Sequence, residues 1–248
     1  GLAEAPHIDV DVLAGLANAR QLGRDHHGGH VLDVDLAAGG ALFKVRQRAI
    51  DAHAQASQHG FHALGGKGHI GAIARALQAN GLSLEHANKV ASLMAQADLQ
   101  GSDGHGVIRL PQYVKRIRAG GINVNPQIKV VQDKAAMAVV DGDNGMGHLV
   151  VSHAVELAIK KAADAGVAWV GTRNSNHAGP ASLYARMPIA HDMIGLYFAV
   201  GNANHLPPWG GMDMLLSTNP IAAGIPAGSE PAVVLDMATT VAAYGKVK

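Results

Sequence analysis

Apolar positions along this chain fall into helical stripes between residues 70 and 120, and into short apolar runs alternating with helices after residue 125. In the first region apolar residues recur three and four apart, the spacing of helices with one buried face. GAIARALQANG predicts a short helix with Gly81 at its C-terminal cap. Ser83 is placed to N-cap the next, LEHANKVASLMAQADL, whose Ala87, Val90, Leu93, Met94 and Ala97 form one stripe. Pro111 suits the first turn of a third helix, because its missing N–H costs nothing there. Tyr113, Val114 and Ile117 give that helix an apolar side, and Gly120–Gly121 stop it. Further on, QIKVVQ and AAMAVVDG read as strands and DGDNGMGH as a turn. LVVSHAVELAIKKAADAG reads as an amphipathic helix with Val151, Ala154, Val155, Ala158, Ile159 and Ala162 on one face, ended by Gly166. VAWVGTR and IGLYFAV read as buried strands, and IAAGIP and AVVLDMA as two more. Pro180 opens a helix over ASLYARMPIAHD, and TTVAAYGK begins another.

Strands alternating with helices after residue 125 predict an α/β layer architecture, with the helices of residues 70 to 120 packed on it or beside it. No heptad, tandem repeat or Ser/Pro linker interrupts this, and the one clear boundary falls near residue 68. Upstream of it the pattern weakens: HVLDVDLAAG can hold a strand, and FKVRQRAIDAHAQASQHGF lacks a defined stripe. The expected organisation is therefore a leader of unknown structure over residues 1–68, a helical segment over 69–125 and an α/β region over 126–248.

Composition changes the picture at the leader. The chain has 248 residues and fifteen histidines, eight of them among the first seventy: His7, His26, His27, His30, His53, His59, His62 and His69. The HHGGH run from His26 to His30 could clip a metal, but no carboxylate or thiol framework at a familiar spacing accompanies it. The plainer reading is a solvated leader, disordered or not native to the protein. Elsewhere no metal site is expected. With 48% apolar and 16% charged residues the chain can bury a core, and a net charge of +1 gives no basic surplus for nucleic acid. Absent cysteine makes a reducing compartment, the cytoplasm, the default. No apolar run reaches the length of a membrane span.

Candidate chemistry sits in four polar, glycine-rich segments: GSDGHGVIR, TRNSNHAGP, VGNANHLPPWGG with STNP, and LDMATT. In α/β proteins such loops at strand ends gather ligands. His105, followed by Arg109, lies between two helices, either in a plain connector or in a loop presenting an imidazole and a guanidinium. His177 stands between a strand and a helix start, where the positive dipole end disfavours its charged form and suits an acid or base near neutrality. A hydrogen bond that merely shapes the turn is the alternative. Asp236 ends an apolar run, placed either to N-cap the next helix or to accept from a ribose hydroxyl or carboxamide. G-x-G-x-x-G after a strand, G-x-x-x-x-G-K-[ST], G-x-S-x-G and H-E-x-x-H are all missing. DGDNGMGH is no calcium loop, since Gly145 and Ser152 fall where oxygen ligands and a bidentate Glu are needed.

Taken together, GSDGHGVIRLPQYVKRIRAGG, DGDNGMG, SNHAGP, PPWGG, STNP and LDMATTVAAYGKV resemble, in order and spacing, the malate/L-lactate dehydrogenase family of non-Rossmann NAD(P)-dependent oxidoreductases. The likeness runs from about residue 70 to 248. It implies a non-Rossmann mixed sheet with flanking helices, a homodimer with the active site near the subunit interface, and a further C-terminal segment beyond this chain. It implies hydride transfer between a small 2-hydroxy acid (malate, lactate, ureidoglycolate or similar) and NAD or NADP. By similarity His105 or His177 exchanges the proton, and Arg109 grips the substrate carboxylate through two parallel N–H bonds. Gly201, Asn202, Asp236, Met237 and Ala238 correspond to cofactor contacts, with Thr218 and Asn219 of STNP beside them. Tyr113 and Lys246 correspond to residues shaping the substrate site. Gly104 departs from the pattern, because relatives carry a serine there. The competing expectations are a non-catalytic, His-rich metal- or ligand-binding protein, and an inactive fragment.

Overall fold

A computed structural model describes residues 34–35, 44–45, 66–201 and 204–240. Two units divide the chain, Gly1–Gly60 and Phe61–Lys248. In the first, β1 (Val34–Asp35) and β2 (Lys44–Val45) pair antiparallel with Val34 opposite Val45. The HHGGH run lies outside the described residues, as do Asn202, Lys246 and all but the first two residues of the helix expected over TTVAAYGK.

The second unit begins with helices α1 (Gly66–Gln78) and α2 (Leu84–Leu99). Gly81 turns the chain between them with φ of +102°, which a side chain would strain. The Ser83 hydroxyl caps α2 by accepting from the His86 amide at 3.2 Å. All five residues of the expected stripe are buried. Two 3₁₀ turns, Asp103–His105 and Val107–Arg109, lead into α3 (Leu110–Arg118), with Pro111 in its first turn. These helices share one core, in which Ile73, Leu77, Val90, Met94, Tyr113 and Ile122 meet Met146 and Leu149.

The mixed α/β organisation is as expected, with the strands divided between two small sheets. In the first, β3 (Lys129–Asp133) pairs antiparallel with β4 (Met137–Gly145), and β4 pairs parallel with β5 (Trp169–Ser175). The long α4 (Gly147–Ala165) makes the crossover between β4 and β5 and ends on Gly166 at φ +79°. DGDNGMGH is more than a turn. The strand continues through it, shifting register between Asp141 and Gly145, while Asp143 and Asn144 adopt positive φ. The second sheet is antiparallel, β6 (Gly195–Phe198), β7 (Ile221–Ile225) and β8 (Val233–Met237), with β7 central.

Two expectations fail. ASLYARMPIAHD does not form one helix: α5 spans only Ser182–Ala185, and Met187–His191 is a 3₁₀ turn. Pro188 has no N–H to continue the ladder, so the backbone tightens to three-residue bonds, such as Ile189 N–H to Arg186 O at 3.1 Å. Nor are VAWVGTR and IGLYFAV buried on both faces, for β5 and β6 carry mostly exposed or half-buried residues along their lengths. Register puts Leu196, Phe198, Ile225, Val233, Leu235 and Met237 on one face of the second sheet, and all six are exposed. The other face carries Ala222 against Ala181 and Ala185. Among the described residues no helix is long and apolar enough to cross a membrane.

Candidate active site

The first histidine loop is built by α2. Asp98, in the last turn of that helix, turns its carboxylate back over the loop and accepts from the Val107 amide at 3.0 Å, with His69 Nε2 at 3.3 Å. Gly106 makes this possible, since a Cβ there would overlap the Asp98 carboxylate. The loop is thereby pinned just after the glycine and tied through Asp98 to His69 of α1, and His105 is carried inward. Arg109 folds back on the same loop, donating from Nε to the Gly104 carbonyl at 2.6 Å and from Nη1 to Gln112 Oε1 at 2.8 Å. One face of the guanidinium fork is thus fixed, and the remaining donors are left for a ligand.

The second histidine loop follows β5. Asn176 holds it down: its amide nitrogen donates to the Asn144 side chain at 2.9 Å and to the Asn144 and Gly145 carbonyls, while its oxygen accepts from Arg116 Nη2 at 2.9 Å. Gly147 is required where the chains cross, because a Cβ would collide with the Asn176 carbonyl. The glycine turn, α3 and the His177 loop are therefore locked together.

These locks bring His105 and His177 face to face. Their rings stack with centroids 5.4 Å apart and planes 16° apart. The Tyr113 hydroxyl, rising from the helical core on α3, lies 2.6 Å from His177 Nδ1. Behind Tyr113, His148 in the first turn of α4 meets the phenol ring edge-on at 5.6 Å. His148 is fully buried, and among the described residues neither of its ring nitrogens has a hydrogen-bond partner.

The electrostatics keep these imidazoles neutral. His177 is lowered to about 4, first by desolvation from the protein packed around it, then by His105, Arg109 and Arg116, although its outer edge stays open to solvent. His148 is lowered to about 3, by burial and then by the other two histidines. His105 is lowered by burial and by Arg109, while Asp236 draws it back upward. Burial raises the Tyr113 hydroxyl well above the ordinary phenol, so it stays protonated.

Asp236 connects this centre to the second sheet. One of its oxygens accepts from the Ser182 amide at 2.7 Å, and the Ser182 hydroxyl donates to Gln100 Oε1 at 3.1 Å. The carboxylate therefore caps the start of α5, a helix distant in sequence. Antiparallel pairing of Phe198, Ile221 and Met237 sets the ends of β6 and β8 and the start of β7 at one edge. Gly201, Thr218, Asn219, Asp236, Met237 and Ala238 all lie at that edge. Asn219 Oδ1 accepts from the Gly201 amide at 2.9 Å, and the Thr218 carbonyl accepts from the Thr239 amide at 2.9 Å. This donor and acceptor set suits a ligand with hydroxyl and carboxamide groups, because the exposed Asp236 commits only one oxygen within the fold. Met237 faces away from Asp236, on the exposed apolar side.

Sequence reasoning missed His148, Ser182, Asn176 and Arg116. His148 was read only as the last residue of the DGDNGMGH turn, and its burial beside Tyr113 is a product of the crossing at Gly147. Ser182 resembled any small residue after a helix-opening proline.

A mixed α/β fold without a Rossmann glycine loop, presenting stacked imidazoles and an arginine beside an acidic sheet edge, is an architecture suited to acid–base chemistry on a small acid. The family model described as malate/L-lactate dehydrogenase matches residues 69–248, and the chain belongs to that family. It is 43% identical over 177 residues to the malate dehydrogenase of Pyrococcus horikoshii, covering 71% of this chain and 48% of the relative. To the L-sulfolactate dehydrogenase of Methanocaldococcus jannaschii it is 42% identical, covering 67% of this chain and 48% of the relative. The ureidoglycolate dehydrogenase (NAD(+)) of Escherichia coli is 34% identical over the same shares. The solved structure of the Pyrococcus horikoshii malate dehydrogenase superposes with a TM-score of 0.69 at 41% identity, covering 72% of this chain and 51% of that one. The chain spans about half the length of the curated relatives it matches.

Proposed function

We propose that this chain carries the acid–base and carboxylate-binding groups of an NAD(P)-dependent oxidoreductase acting on a small 2-hydroxy or 2-oxo acid. The observation that carries the reading is the stacking of His105 on His177, two histidines from separate loops, with Arg109 on the loop of the first. A neutral imidazole near a substrate oxygen can hold or pass the proton that accompanies hydride transfer. Arg109, braced by Gly104 and Gln112, has donors left to clamp a carboxylate and so fix C2. NAD(P), when bound, supplies or takes the hydride. Asp236 and the strand ends at Gly201, Thr218, Asn219, Met237 and Ala238 would hold it, with Asp236 accepting from a hydroxyl or carboxamide. Gly104 leaves room beside His105 on the substrate side. The relatives' names, malate, L-sulfolactate and ureidoglycolate dehydrogenases, support the substrate class. On this reading the protein is a cytoplasmic homodimer.

The test is a panel of small 2-oxo acids and 2-hydroxy acids with NAD and NADP, run on the protein carrying this chain. Turnover with at least one pair is expected, and none with any pair would end the proposal. His105→Ala and His177→Ala each lower turnover in that panel. Arg109→Lys raises KM for carboxylate substrates more than it lowers kcat, since Lys cannot make two parallel bonds. An unchanged KM would remove the clamp.

A further inference from the structure

We infer that Tyr113 is a positioning residue that fixes His177 in the tautomer bearing its proton on Nε2, so that the imidazole offers an N–H to the substrate oxygen. The inference rests on the proposed reading of His105 and His177 as the proton-handling pair, and it decides between their roles.

The argument begins at His177 Nδ1. The Gly179 amide, which can only donate, points to Nδ1 at 3.4 Å. The Tyr113 oxygen lies 2.6 Å from the same nitrogen. A protonated Nδ1 would face a backbone N–H, donor against donor, and an unprotonated Nδ1 satisfies both neighbours. The hydroxyl is also held protonated by the burial of its ring, so it has a hydrogen to give. Tyr113 therefore donates to Nδ1, and the proton of neutral His177 belongs to Nε2. Nε2 makes no hydrogen bond within the described residues, and it is the nitrogen left for a ligand.

The fold secures this geometry from behind. Tyr113 is only 3% exposed, its ring set in the helical core with His148 edge-on against it. Gly179 has φ +83°, and a Cβ there would come within 3.2 Å of His148 Nε2. The amide that helps define the tautomer therefore sits on a backbone position suited to glycine. None of these groups is free to turn away from Nδ1 without disturbing the core.

The consequence is a division of labour. A neutral His177 donating from Nε2 polarises a substrate carbonyl and stabilises the alkoxide that forms as hydride arrives at C2. It does not itself give up that proton, because imidazolate is too basic to form there. The alkoxide takes its proton from a second group, and His105 is the imidazole stacked 5.4 Å away. His105 relays a solvent proton to the oxygen and returns to its neutral resting form, and in the oxidation direction the neutral ring takes the hydroxyl proton.

The experiment is two-bond ¹H–¹⁵N correlation on the chain labelled with ¹⁵N-histidine, near pH 7, with His177 assigned by its loss in His177→Asn. The expected spectrum shows Nε2 protonated and Nδ1 unprotonated. Tyr113→Phe keeps the ring against His148 and removes one hydrogen bond, so the Nδ1–H form should gain about tenfold in population. A wild-type spectrum with the proton on Nδ1, or a Tyr113→Phe spectrum unchanged, would overturn the inference. With an accepted substrate from the panel, Tyr113→Phe lowers kcat with KM nearly unchanged. A rise in KM alone would mean that Tyr113 merely shapes the pocket. The spectrum is read without turnover, so a failed panel leaves the tautomer standing, and a wrong tautomer leaves the oxidoreductase reading standing.

Discussion

Two glycines flank His105, and only one of them is demanded by the fold. Gly106 lies under the Asp98 carboxylate, where any Cβ would overlap it. Gly106→Ala must push Asp98 off the Val107 amide and away from His69. A loss of about 1–3 kcal/mol is expected, read as a lower melting temperature, together with lost turnover because His105 moves with the loop. Gly104 is the opposite case: a Cβ there meets nothing within 4 Å, and its φ is not positive. Gly104→Ser should leave stability within about 0.5 kcal/mol of wild type while changing which acids are turned over, since its hydroxyl adds a donor beside His105. Equal kcat/KM ratios across the panel for both proteins would show that residue 104 takes no part in selection. Gly104 is therefore a position where substrate choice can vary without a structural penalty.

At the scale of elements, the helices were legible because burial on one face writes a 3.6-residue period into the sequence. The cap at Ser83, the stripe on α2, Pro111 and the stop at Gly166 all needed only local information. What was not legible depended on contacts between segments far apart. Asp98 pinning the His105 loop, Asn176 pinning the His177 loop and Asp236 capping α5 are each bonds across the fold, and nothing in their local sequence marks them. The strands failed for a related reason: an apolar run shows that a strand has apolar side chains, not that both faces are covered. Leu196 is 62% exposed and Trp169 57%, the latter with its ring against that of Phe198 from the other sheet. The face of Leu196, Phe198, Val233, Leu235 and Met237 is a contiguous apolar surface of the kind that drives association. The chain studied alone should self-associate with rising concentration in sedimentation velocity. Phe198→Lys with Leu235→Lys should suppress this without altering the helical core, whose melting would be followed by circular dichroism. Association undiminished in that variant would place the sticky surface elsewhere.

Across the whole molecule, the cluster of neutral histidines makes stability depend on pH in a defined direction. His148 at about 3 and His177 at about 4 both sit below the ordinary 6.5, with burial as the first cause, and His105 is lowered as well. Below pH 6.5 the unfolded chain takes up these protons and the folded chain does not. The unfolded state then binds more protons, so stability falls as pH drops from about 6.5 toward the folded values. Each such histidine can steepen this fall by up to about 1.4 kcal/mol per pH unit, with His177 contributing less because its outer edge is solvated. His148 is the group that isolates the effect, being fully buried with both nitrogens unpartnered among the described residues. Replacing an unsatisfied buried polar group by an apolar one of similar volume is close to neutral or stabilising. His148→Leu should therefore match or exceed wild type at pH 7 and lose less melting temperature between pH 7 and pH 4. The Asp141 carboxylate, held below its ordinary range first by the Asp143 amide and then by Asn174, also weakens the fold in acid, but it is common to both proteins and cancels in the comparison. Parallel melting curves against pH would mean that the buried imidazole is not the acid-sensitive element, and that the histidine cluster owes its neutrality to something other than burial.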